Sequence, residues 1–149
     1  MTDDRALARD VNGDARGEGR RMSRRAAGAF EVRMTGDPAA EAPAIGRFAL
    51  DKTYRGSLQA TSRGQMLSAG AVEKGSAGYV AIEIVEGSLD GRSGSFALQH
   101  SGTMTRGSAR LTIDVVPDSG TGELEGLAGT MTIRVDDGRH EYALDYSLP

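Results

Sequence analysis

From Ala26 onward, apolar side chains recur at every second position in short runs, and small residues separate the runs. Phe30, Val32 and Met34 share one parity, as do Phe48, Leu50, Lys52 and Tyr54. The same alternation returns in Leu111, Ile113 and Val115, in Met131, Ile133 and Val135, and in Tyr142, Leu144, Tyr146 and Leu148. Successive side chains of a strand leave opposite faces, so period two is the mark of a half-buried strand. Eighteen glycines punctuate residues 26–149, commonly six to ten apart, as antiparallel strands joined by tight turns require. The runs predict about eight strands, over 27–34, 45–56, 57–72, 77–91, 94–105, 109–120, 122–138 and 139–149. No segment carries a capped helical period, and Pro38 and Pro43 make 37–44 a loop. Glycines inside long strands favour coiling, and closure removes exposed edges, so the expected fold is an all-β, eight-stranded antiparallel β-barrel.

The first 25 residues differ in texture. Beyond Met1, only Leu7, Val11 and Met22 are large and apolar, and they are too few and too widely separated to offset chain entropy. We therefore expect a disordered N-terminal extension over 1–25 and a single barrel domain over 26–149. Gly17-Glu18-Gly19 requires purine-rich codons just upstream of Met22, as a ribosome-binding site would. A flexible tail and a true start at Met22 are the two alternatives.

Charge narrows the partners. The extension carries seven arginines against five acids, whereas 26–149 carries eleven basic and sixteen acidic side chains. An acidic body with few aromatics and no basic stripe argues against nucleic acid as a partner. No apolar run approaches the roughly 18 residues of a spanning helix, and no secretory signal opens the chain, so no membrane partner is expected. Cysteine is absent, which excludes disulfides, thiolate metal sites and a cysteine nucleophile, and fits a cytoplasmic protein. Small barrels commonly self-associate, so a homo-oligomer is open.

Chemistry-bearing motifs are scarce. "PDSGTGELEG" does not match GxGxxG and precedes no helix, so no nucleotide cofactor is expected. His100 and His140 are the only histidines, and "RHEYAL" is not HExxH, so we expect no metal site. His100 stands out because it shares its parity with Phe96 and Leu98. Glu83 shares parity with Tyr79, Ala81 and Val85 on the preceding run, and a hairpin turning near Asp90-Gly91 sets Glu83 opposite residues 98–100. A carboxylate beside an imidazole can orient it for proton transfer, or simply satisfy a buried polar pair that fixes register. Glu83 and His100 are therefore the candidate catalytic residues. Tyr54, Tyr79, Phe96 and Leu98 are the candidate ligand-binding residues. Lys52 lies on an apolar parity, and a strand-end lysine there is expected to snorkel to solvent.

The stretches "KGSAGYVAIE" (74–83), "GRSGSFALQHSGTM" (91–104) and "VVPDSGTGEL" (115–124), preceded by "IGRFALDKTYRGSLQATSRGQML" (45–67), resemble a family of small bacterial proteins of unknown function. The likeness covers roughly residues 28–149. It implies a barrel similar to that of allene oxide cyclases and no established activity. No motif of those cyclases maps onto this chain, so none of their functional positions carries over.

Three functions follow. The first is a barrel that binds a small, mainly apolar molecule. The second is a cofactor-free isomerase, lyase or cyclase-like enzyme acting through Glu83 and His100. The third is a structural or oligomeric protein with a packed interior. The first two require space inside the barrel, and the third requires none.

Overall fold

The computed structural model describes residues 21–37 and 45–149. Residues 1–20, and with them most of the expected extension and the question of a start at Met22, lie outside the described residues. Eight antiparallel strands close into a barrel in chain order. They are β1 (Met22–Gly36), β2 (Gly46–Gly56), β3 (Leu58–Ala71), β4 (Ser76–Leu89), β5 (Arg92–Thr105), β6 (Ser108–Val115), β7 (Ala128–Asp136) and β8 (Arg139–Leu148).

Three hairpins turn on two residues that both have positive φ: Asp90-Gly91, Arg106-Gly107 and Asp137-Gly138. That twist matches the right-handed coil of the strands they join. The β4–β5 turn pairs Leu89 with Arg92, which sets Glu83 opposite Leu98 and His100 opposite Ala81.

Two boundaries depart from the expected ones. β1 begins at Met22, so residues 22–25, placed in the extension, pair with β8 as far as Leu148. The last half of β8 needs a second neighbour if the barrel is to close, and these residues supply it. β6 ends at Val115 and β7 starts only at Ala128, where continuous strands were expected over 109–120 and 122–138. Pro117 has no N–H to give a ladder, and Asp118, Gly122 and Gly126 take positive φ, so the chain leaves the sheet there.

That departure closes one end of the barrel. The connection 116–127 stays tied to β5 through side chains: Ser119 Oγ accepts from Ala97 N at 3.0 Å, and Thr121 Oγ1 accepts from Ser95 N at 3.0 Å. It drops Leu124 and Leu127 into the interior, where both are buried beside Leu58, Leu89, Phe96, Leu98 and Leu148. Tyr142 and Tyr146 fasten the same end. The Tyr142 hydroxyl accepts from Leu58 N at 2.9 Å and donates to Arg55 O at 2.8 Å across the β2–β3 turn. The Tyr146 hydroxyl donates to the Asp90 carboxylate in the β4–β5 turn.

The opposite end has a different texture among the described residues. The inward positions there are Met34, Met104, Leu111 and Val135, exposed despite being large and apolar, and Phe48, Met66, Tyr79 and Ile133, half-buried. The wall also parts on one side. β6 and β7 are paired only at Ile113–Met131 and Asp114–Thr130, so Leu111 and Ile133 line a splayed seam. The inward side chains are sealed from solvent at one end of the barrel and reach it at the other.

Candidate functional site

Glu83 sits mid-strand on β4 with its side chain inside the barrel and 0% exposure. A carboxylate taken out of water must find hydrogen-bond donors. Three strands deliver them. Lys52 on β2 donates from Nζ to Oε2 at 2.7 Å, and His100 Nε2 on β5 lies 2.7 Å from the same oxygen. Tyr54 on β2 donates its hydroxyl to Oε1, and Ser62 on β3 donates to that oxygen at 3.0 Å.

Register explains the convergence. Glu83 faces Gly64 on β3 and Leu98 on β5, while Lys52 faces Ser62. Lys52 must cross β3 inside the barrel to reach β4. Gly64 makes the approach of β3 and β4 possible, because a Cβ there would stand 2.8 Å from that of Glu83. Phe30 completes the enclosure, with the Lys52 ammonium 5.1 Å from its ring centroid.

Burial alone would push the Glu83 pKa up. The hydrogen bond from His100, the Lys52 charge and the bonds from Lys52 and Tyr54 outweigh it, and the carboxyl titrates at about 2 instead of 4.5. Burial pushes the Tyr54 phenol up, and the Glu83 charge adds to this, so Tyr54 remains a donor. An ionised carboxylate whose two oxygens already accept four bonds is a weak proton acceptor. Glu83 is built to hold its neighbours in place.

His100 is held differently. Its Nε2 points at the carboxylate, which fixes the hydrogen on that nitrogen in the neutral ring and leaves the Nδ1 lone pair as an acceptor. Among the described residues Nδ1 has no partner. Among these residues no side-chain nitrogen or oxygen sealed from solvent lacks one, so Nδ1 meets accessible space although the residue is only 3% exposed. Tyr79 lies one pleat nearer the open end, with its ring centroid 6.5 Å from that of His100 and its hydroxyl unbonded among the described residues. Gly102, directly across from Tyr79, has no side chain, and a Cβ there would strike the Tyr79 ring. Burial, and then the charge of Glu83, push the Tyr79 phenol up.

The proposed pair of Glu83 and His100 is thus in contact, and Tyr54 belongs to the same cluster. Tyr79 stands beside it on the open side. Phe96 and Leu98 form the packed floor with Val85 and Val115 and are sealed from solvent. Lys52 corrects the sequence reading: it points inward and is 7% exposed, because an ion pair with Glu83 replaces the water it would have sought. Ser62 was not anticipated. Its signal was present in the shared parity with Leu58, Ala60 and Gly64, which places it inside, but a serine on a small-residue strand draws no attention until its partner is known.

The family model for proteins of unknown function, DUF3224, matches residues 26–146. The chain belongs to the DUF3224 family. A DUF3224 protein of unknown function from Shewanella oneidensis MR-1, solved by crystallography, is 50% identical to it with a TM-score of 0.77, covering 84% of this chain and 97% of that one. No curated protein matches the chain. DUF3224 membership therefore brings a family without an assigned activity, and the site must be read from its own geometry.

Proposed function

We propose that the barrel binds a small, mainly apolar molecule in the open half of its interior, with a polar group of that molecule facing His100 Nδ1 and the Tyr79 hydroxyl. One observation carries this reading. His100 Nδ1 and the Tyr79 hydroxyl, on rings 6.5 Å apart between the sealed and the exposed ends of the barrel, have no hydrogen-bond partner among the described residues, whereas Tyr54, Ser62, Lys52 and Glu83 are all committed to one another. Ligand sites are typically apolar concavities with a few convergent polar atoms. Methionine, at positions 34, 66 and 104, is suited to such a mouth because its flexible thioether adapts to varied shapes. The splayed β6–β7 seam offers a second way in beside Leu111 and Ile133. The likeness to allene oxide cyclase barrels, implied by the sequence motifs, fits an occupant of this size and character and belongs to the same proposal.

The test is native mass spectrometry of the protein isolated from its own host, together with a fluorescence titration using 2-naphthol, an apolar bicycle with one hydroxyl. A small-molecule adduct or saturable naphthol binding that Leu111→Arg abolishes is the expected result. Ligand-free protein that also ignores naphthol would remove the proposal.

A further inference from the structure

Resting on that reading, we propose that the site is a proton-transfer centre for small apolar ketones, with His100 Nδ1 as the base and the Tyr79 hydroxyl as the group that steadies the enolate. Glu83 is then a positioning residue. The arrangement is that of an imidazole held by a carboxylate at one nitrogen and presenting the other to a substrate, which is how a histidine is made into an oriented base. Here the carboxylate is 0% exposed and held by three further donors, so it cannot swing away from Nε2.

The step balances without an oxidant, a reductant or a co-reactant. Nδ1 takes a proton from the carbon next to the carbonyl, and the C–H electron pair becomes the C–C π bond of an enolate. The carbonyl oxygen gathers the negative charge and accepts the hydrogen bond of Tyr79. The imidazolium, whose charge the Glu83 carboxylate offsets, either swaps its proton with solvent water and returns a solvent-derived one to the same carbon, or delivers its proton to a conjugated carbon. The first outcome is exchange and the second is isomerisation of an enone. A developing oxyanion in a partly desolvated site gains most from a donor that is already in place. Tyr79 meets that condition, since its ring lies over Gly102 and its hydroxyl bonds to nothing else among the described residues.

A matched pair of probes separates this inference from the binding proposal. 2-Naphthol, an enol mimic, reports occupancy by fluorescence. 2-Tetralone, of the same shape, reports proton transfer by loss of its α-proton NMR signals in D2O. In the wild type, exchange should exceed that of His100→Gln by about 100-fold or more, the usual contribution of a positioned base. Tyr79→Phe should lose about tenfold while the 15N signals of His100 stay unchanged. Those signals should show hydrogen on Nε2 and none on Nδ1, and Glu83→Gln should mix the two tautomers. Naphthol binding with tetralone exchange equal in wild type and His100→Gln would overturn the inference and leave the binding proposal standing. Hydrogen on Nδ1 in the neutral wild-type ring would overturn it as well. Absence of naphthol binding together with ligand-free protein from the host would take down both.

Discussion

Glu83→Gln tests the central cluster most directly. In the folded protein the carboxyl titrates at about 2, and its ordinary value is 4.5. Linkage converts that difference into about 3 kcal/mol of stability at neutral pH. Because the folded-state value is the lower one, this stability is fully present above pH ~4.5 and is lost as pH falls towards ~2. Glutamine removes the charge but keeps the volume, and it leaves the Lys52 ammonium, 2.7 Å away and 7% exposed, without its counter-charge. Breaking one side of a buried pair costs about 3–5 kcal/mol, the same scale as the linkage figure. The glutamine amide also offers hydrogens where two of the four donors point. Urea titrations should therefore show the variant less stable by about 3–5 kcal/mol at pH 7, with an unchanged slope against urea. Repeated from pH 5 down to pH 2.5, they should show the gap narrowing, since the unfolded wild-type chain then protonates this carboxylate while the folded protein, titrating at about 2, still holds it ionised. Subtracting the two curves cancels the other carboxylates, which titrate in both proteins. A gap of the same size at pH 3 and pH 7, or equal stability at pH 7, would refute the reasoning.

Other parts of the barrel make separate demands. Leu124→Ala empties a fully buried position in the cap over the packed end and should cost about 2–5 kcal/mol by thermal or urea denaturation, without changing the His100 tautomer. Tyr142→Phe strands the Leu58 N–H at 2.9 Å and should cost about 1–3 kcal/mol, with faster amide exchange confined first to the β2–β3 turn. Gly102→Ala drives a Cβ into the Tyr79 ring, so naphthol should bind more weakly while Glu83 and His100 stay paired, as seen by 15N NMR.

Much of this architecture was legible before any coordinates. The parity of Phe96, Leu98 and His100 placed the histidine inside, and the Asp90-Gly91 turn placed Glu83 within reach of it. Both readings depend on chain-local geometry, in which neighbours two apart share a face and a two-residue turn fixes the pairing beyond it. The fate of Lys52 was not legible in the same way. Its parity pointed inward, yet a lysine inside a barrel is tolerable only with an anion at bonding distance, and that anion sits two strands away. The tyrosines were equally ambiguous as a group. Three of them turned out to be occupied with turns or with Glu83, which left Tyr79 as the free phenol.

Alternation and turn chemistry, then, determined strands, faces and the closed sheet, because these follow from a two-residue repeat that each segment carries in itself. The folded barrel decided which inward side chains meet across its axis, that residues 116–127 cap one end, and that β6 and β7 part near the other. Those outcomes depend on the stagger accumulated around eight strands, a sum over the whole sheet that no single segment encodes.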